Sequence, residues 1–156
     1  MYTQATTELN INGQSYRVDV VYDEYARAPW VECDGHGPVS GWVNRTKAPG
    51  ELVLMSDRRG SKVYYDFAEA CKIARRDGWN CAKTKSAASA AALQDYNFLK
   101  SWCDDSWNYS GVIVTEIRED SDGIVDDRFS STLWGIEFWS TYDLGHERNR
   151  YIMSDV

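Results

Sequence analysis

The chain has 156 residues, 43% of them hydrophobic and 13% aromatic, with a net charge of −7, and this is the size and composition of one folded domain. The charged fraction of 26% argues against disorder, and no apolar run is long enough to predict a transmembrane helix. Because the first residues also lack the basic and apolar segments of a secretion signal, we expect a soluble cytoplasmic protein whose four cysteines are reduced.

Charge is distributed unevenly along the chain. Residues 1–44 carry 2 basic and 6 acidic side chains, residues 45–85 carry 10 and 5, and residues 86–156 carry 5 and 13. The acidic C-terminal third argues against a general nucleic-acid-coating role, because neutralising phosphates requires a basic face. The pattern predicts an electrically polarised protein, and an acidic surface that only maintains solubility is the alternative.

Two hairpins are predicted in the first half of the chain. Residues 8–25 alternate apolar and polar positions around Asn12 and Gly13, the dipeptide most typical of a tight hairpin turn. Residues 51–66 form the second hairpin, with Gly60 in its turn. Between the hairpins, glycines and prolines interrupt residues 26–50 and predict a long loop, which Trp30 and Trp42 would attach to the core.

Two helices are predicted after the second hairpin. Asp66 is a suitable N-cap for a helix that stops at Gly78. An alanine-rich start predicts a second helix over residues 86–106, with Asp95 on its solvent side. The apolar stripe of this helix consists of Ala92, Tyr96, Leu99, Cys103 and Trp107.

The last third of the chain predicts a further strand pair. Residues 111–117 and 130–141 are the strands, an acidic turn region joins them, and residues 142–156 are a polar tail, mobile apart from a short helix or strand around residues 150–153. Residues 1–156 are therefore expected to form a single α+β domain, an antiparallel sheet built from hairpins with two helices packed on one face.

The loop segment containing Cys33, Asp34 and His36 is the first candidate for chemistry. Cys33 and His36 have the spacing of a zinc-ligand pair, and Cys71 with either Cys81 or His146 would complete the site. In an enzyme, His36 would be the base and Asp34 the carboxylate that orients it. Alternatively, Cys33 would be a nucleophile paired with His36. Neighbours on a turn rarely converge on one point, so a loop whose polar groups bond the backbone is favoured over zinc or catalysis.

Charged residues form two further candidate surfaces. The first, which we call the basic surface, is a candidate for contacts with phosphate or an acidic partner. The alternative is that these residues lie on a turn and a helix face that contact only solvent. Its residues are Arg58, Arg59, Lys72, Arg75 and Arg76. The acidic set would imitate a phosphate backbone if its charges were regularly spaced on one face. Its residues are Asp104, Asp105, Glu116, Glu119, Asp120, Asp122, Asp126, Asp127 and Glu137.

Three runs of sequence resemble a group of small tailed-bacteriophage proteins that carries no assigned activity. They are DGHGPVSGW at residues 34–42, PGELVLMSDRRGSKVYYDFAEACKIARRDGW at residues 49–79 and LWGIE at residues 133–137. The resemblance implies a phage accessory protein expressed in a bacterial cytoplasm. Small acidic phage proteins of that kind often bind and inhibit host restriction, CRISPR or other defence components.

The leading hypothesis is a non-enzymatic protein that binds a host bacterial protein, with counter-defence inhibition as one form of that role. Its predicted contact residues are the basic surface together with Trp30 and Trp42. One alternative is a small metal-dependent or His-dependent hydrolase that uses Asp34 and His36. The other is a nucleic-acid-binding protein that uses the central basic segment. No cofactor and no membrane partner are predicted.

Overall fold

The computed structural model describes residues 1–118 and 130–154, and its contacts divide the chain into two compact units. The first unit comprises Met1–Ala26 with Asp105–Val156, and the second comprises Arg27–Asp104. The elements of the first unit are β1 (Thr3–Ile11), β2 (Gln14–Tyr22), β5 (Asn108–Glu116), β6 (Ser130–Phe138) and α4 (Arg150–Ser154). Those of the second are α1 (Pro29–Glu32), β3 (Glu51–Ser56), β4 (Lys62–Asp66), α2 (Phe67–Asp77) and α3 (Lys85–Cys103), with a 3₁₀ turn at Trp79–Cys81.

The first unit is built on an antiparallel sheet in the order β1-β2-β5-β6. Its first turn has positive φ angles at Asn12 (52°) and Gly13 (84°), the conformation expected of a two-residue hairpin loop. Val18 and Val20 of β2 pair with Val114 and Val112 of β5. Since alternate residues share one face of a sheet, these valines lie together in the core with Phe138 and Ile152.

A buried asparagine organises the described part of the C-terminal tail. The Oδ1 atom of Asn149 accepts the N–H of Trp139, and its Nδ2 atom donates to the carbonyls of Trp139, Tyr142 and Asp143 at 2.9–3.1 Å. Ile152 of α4 is also buried. Asn149 thus joins this segment to the residues just after β6, and α4 occupies the position where we expected a short helix or strand. The expected mobility of the tail stays a prediction, and its last two residues lie outside the described part.

The second unit packs two helices on a hairpin. β3 and β4 are antiparallel, and α2 and α3 contact both β3 and each other. The core between them contains Leu54 and Tyr65 from the hairpin and Ala70, Ala92 and Leu99 from the helices. The two helices thus cover the hairpin, as expected from their apolar stripes.

Local capping confirms the predicted ends of the first long helix. The side chain of Asp66 accepts the N–H of Glu69 at 3.0 Å, and Gly78 closes α2 in the left-handed conformation with φ of 69°. Thr84 caps α3 in the same way by accepting the N–H of Ala87. Gly78 and Thr84 therefore define where α2 ends and where α3 begins.

The loop over residues 27–50 lies along β4. Isolated bridges join Val39 to Tyr65 and Val43 to Lys62, and the short helix α1 lies near its start. Trp30 of α1 meets Trp102 of α3 edge to face, with ring centroids 5.5 Å apart. The loop is thus attached to both the hairpin and α3, which positions the residues between these contacts.

The α+β class and its antiparallel hairpins are confirmed. In the described part of the chain, six strands divide between two sheets, because β2 pairs with β5 rather than with the second hairpin. The single-domain expectation stays a prediction. Of the predicted acidic turn region at residues 118–128, all but the first residue lie outside the described part. Within residues 1–118 and 130–154, none of the helices has both the length and the apolar character needed to cross a bilayer.

Candidate functional site

His36 is held by Asp95 of α3, not by its sequence neighbour Asp34. The Nδ1 atom of His36 lies 2.6 Å from Oδ1 of Asp95, and both side chains are largely buried, at 16% and 11% exposure. The second carboxylate oxygen accepts the N–H of Gly37 and the hydroxyl of Tyr65, both at 2.8 Å. Asp95 thus joins the loop, the hairpin and the helix, whereas Asp34 is exposed.

Close approach at Gly37 makes this arrangement specific. A Cβ atom at that position would lie 2.5 Å from the hydroxyl oxygen of Tyr65. Only glycine therefore lets the loop backbone reach the Asp95 carboxylate beside that ring. The His36 ring also stacks against Phe98, with centroids 5.9 Å apart.

The hydrogen-bond partners within this cluster determine which atoms of Tyr65 and His36 carry a proton. Burial, followed by the hydrogen bond to Asp95, raises the pKa of Tyr65 well above its ordinary value of 10, so its hydroxyl remains a donor. Because a carboxylate only accepts, the Nδ1 atom of His36 carries a proton. This fixes the ring orientation and leaves Nε2 as the nitrogen that does not bond Asp95.

Chemically, an imidazole oriented by a carboxylate is the arrangement of a general base, and it is equally a clamp that fixes a loop. An open groove of about 420 Å³ lies beside it, lined by Gly35, Trp79, Asn80, Ala91, Gln94, Asp95 and Phe98. Asn80 and Gln94 bond each other across the groove at 2.8 Å. The groove is the place where a small molecule would approach this cluster.

The structure gives no support to a metal centre at Cys33 and His36. Within the described ranges, no group of three His, Cys, Asp or Glu side chains is placed to hold a metal ion. Of the other zinc candidates, Cys71 contacts the core of the second unit and His146 stacks on Tyr142. His36 itself is engaged with Asp95.

The predicted basic surface falls on two elements. Arg58 and Arg59 lie in the turn between β3 and β4, and the other three residues lie on α2. Lys72 pairs with Glu69 at 3.3 Å and Arg76 with Asp77 at 2.8 Å, which reduces the net charge of the helix face. Lys85 of α3 joins Lys72 and Arg75 around a groove of about 240 Å³, a contribution that sequence spacing did not predict.

The two candidate tryptophans have different environments. Trp30 is partly buried against the core and Trp102, whereas Trp42 is 54% exposed. Of the acidic set, Asp104 pairs with Lys100 and Glu116 with Arg118. Five of its nine members, residues 119, 120, 122, 126 and 127, lie outside the described part.

An apolar surface on β6 was not predicted as a site. Leu133 and Trp134 are about half exposed, at 50% and 47%, although both are large and apolar. A groove of about 260 Å³ adjoins Leu133, lined by Val112, Val114, Ser131, Thr132, Leu133, Ile136 and Ile152. The ring of Trp134 lies over Gly111, where a Cβ atom would approach it to 2.6 Å. Leu133 pairs with Val112 and Trp134 covers the neighbouring Gly111, so the two side chains lie on opposite faces of the sheet. We call Leu133 and this groove the β6 surface.

No protein-family model, no curated protein and no solved structure matches this chain.

Proposed function

We propose that this protein acts by binding a partner protein through the β6 surface. The observation that carries the proposal is the exposure of Leu133 beside an apolar groove. A groove lined by apolar side chains next to a half-exposed leucine is a candidate interaction site.

The charge of the first unit specifies the kind of partner. Its sequence carries 5 basic and 15 acidic side chains, whereas the second unit carries 12 and 9. Such a field attracts cationic proteins and speeds their association at low ionic strength. The partner is therefore a protein with a basic binding face.

The resemblance to phage proteins supports a biological setting for this proposal. In that setting the protein is cytoplasmic, its partner is a host bacterial protein, and binding inhibits a component of host defence. This setting depends on the resemblance alone, and the binding proposal stands without it.

Affinity capture with matched variants tests the proposal. Leu133→Lys places a charge in the β6 surface, and Leu93→Lys makes the same change at a leucine of α3 that is similarly exposed, at 46%. We expect at least one host protein to be retained equally by the wild type and Leu93→Lys and at least tenfold less by Leu133→Lys. If every captured protein binds all three forms equally, the proposal is wrong.

The oriented imidazole favours a second candidate, a hydrolase in which His36 is the general base. Its specific support is the Asp95 contact beside the 420 Å³ groove. This candidate predicts turnover of chromogenic ester, phosphate or glycoside substrates that falls about 10²–10⁴-fold in His36→Gln, the range general-base catalysis contributes. Wild-type protein with no turnover of any of these substrates would eliminate it for those substrate classes.

A further inference from the structure

The edge of the first sheet offers backbone groups to another strand. β6 is the terminal strand, and β5 is its one strand neighbour within the described ranges. Residues 130–135 of β6 are all exposed. An exposed sheet edge is a template on which an extended chain can add a further strand.

The sheet register shows which residue faces outward. The carbonyl of Tyr109 accepts the N–H of Asp23 on the β2 side, so Val112, three residues later, faces β6. Leu133 pairs with Val112, and Thr132 pairs with Ile113. Since successive residues alternate, Leu133 bonds β5, and the N–H and C=O of Thr132 point away from the sheet.

The other end of the edge is already covered. The hydroxyl of Tyr151 donates to the carbonyl of Glu137, which lies near the end of β6. A register shift opposite Ser110 and Val112, together with a φ of 77° at Gly135, interrupts the strand before that point. The outward-facing backbone that these contacts leave to an added strand is therefore centred on Thr132.

The groove beside Leu133 suits one apolar side chain of such a strand. Its volume of about 260 Å³ lies below the roughly 300–1,000 Å³ of small-molecule sites. Side chains of an added strand alternate between the two faces of the sheet, so one of them enters the groove while backbone bonds form at Thr132. Edge and groove thus form one site for a peptide segment.

Charge argues against a second copy of this chain as the occupant. The first unit has 15 acidic and 5 basic side chains, so self-pairing would bring two strongly acidic units together. Like charges at an interface oppose association, and a basic segment gains from the same field.

We infer that the partner inserts an extended basic segment as a fifth strand against β6, with one apolar side chain in the groove. This inference rests on the proposed function, because it describes how the same surface binds. The backbone bonds supply general affinity, and the groove selects the apolar residue.

Peptide selection on the full chain tests the inference. Random 12-residue peptides are displayed and selected against the wild type. We expect enriched peptides to have positive net charge and alternating apolar residues, and to bind Leu133→Lys at least tenfold more weakly than Leu93→Lys. Enriched peptides that bind both variants equally, or selection that enriches no peptide, would overturn the inference.

Amide hydrogen exchange of the wild type separates strand addition from groove binding alone. A saturating selected peptide should slow exchange at Thr132 at least tenfold, and N-methylation of alternate peptide residues should abolish binding in one alternation only. An unchanged Thr132 amide overturns strand addition. If a captured host protein still depends on Leu133, the proposed function survives that result. A dimer whose Thr132 amide is protected without peptide would assign the edge to a second copy and overturn the inference.

Discussion

Asp95 binds His36 across 59 positions of sequence, with Nδ1 and Oδ1 2.6 Å apart. The same carboxylate accepts the Gly37 N–H and the Tyr65 hydroxyl, so one side chain fastens the long loop to α3 and β4. This contact makes the loop a fixed part of the second unit.

Asp95→Ala should lower the free energy of unfolding by about 2–4 kcal/mol, because three largely buried donors lose a charged acceptor. Asp34→Ala is the control, since this exposed neighbour should change stability by less than about 0.5 kcal/mol. Urea unfolding measures both. Equal effects of the two variants would refute the assigned role of Asp95.

Gly37→Ala should destabilise the protein by about 1–3 kcal/mol, because the added methyl group overlaps the Tyr65 ring. Gly41 has no atom within 4 Å of its virtual Cβ and lies in the same loop. Gly41→Ala should therefore be neutral or stabilising by up to about 1 kcal/mol. Thermal or urea unfolding of the pair checks this prediction, and a Gly37→Ala protein as stable as Gly41→Ala would contradict it.

The Arg45–Glu51 pair should make stability depend on acid pH. Two guanidinium nitrogens of Arg45 bond the Glu51 carboxylate at 2.7 and 2.8 Å, and the Ala48 N–H adds a third bond. The Arg45 bonds and then the Ala48 bond lower the pKa of Glu51 from 4.5 to about 2. A lowered carboxyl pKa stabilises the fold above the unfolded-state value, and that contribution disappears as pH falls toward 2.

Melting temperatures of the wild type and Glu51→Gln across this range provide the measurement. We expect the wild type to melt higher above pH 4.5 and the difference to close by about pH 2. A difference that stays constant over the range would show that ionisation of Glu51 is not its source.

Nucleic-acid binding through the basic surface should be weak. Lys72 and Arg76 are each paired with an acidic side chain on the same helix. We expect duplex DNA to bind only in the non-specific range, with Kd of about 10⁻⁴–10⁻⁶ M at physiological salt, and binding to be lost in Arg75→Glu combined with Arg76→Glu. Fluorescence anisotropy across a salt series measures this. Nanomolar binding that the double variant abolishes would instead favour the nucleic-acid alternative.

Local signals predicted the elements of this fold well. The Asn12 and Gly13 turn, the Asp66 cap and the Gly78 stop each depend on one or two residues, and all three occur as expected. The partition into two sheets was not predicted, because pairing of β2 with β5 joins strands almost a hundred residues apart. No short-range pattern encodes such a contact.

At the candidate sites, too, local sequence signals predicted individual residues, whereas contacts between distant segments were not predicted. Sequence identified His36 as a residue with chemical potential but placed Asp95 on the solvent side of its helix, where helical spacing alone puts it. The loop that returns over α3 covers that position and makes Asp95 the partner. Likewise, the apolar and aromatic residues of 130–141 predicted the β6 strand, whereas its exposed edge depends on the order of the whole sheet.

The central claim is that the β6 surface binds a basic protein partner. Isothermal titration of the captured partner against the wild type, Leu133→Lys and Leu93→Lys tests it most directly. We expect Kd to rise at least tenfold for Leu133→Lys and less than twofold for Leu93→Lys, with affinity falling as salt concentration increases. Equal affinity of all three proteins would contradict the claim.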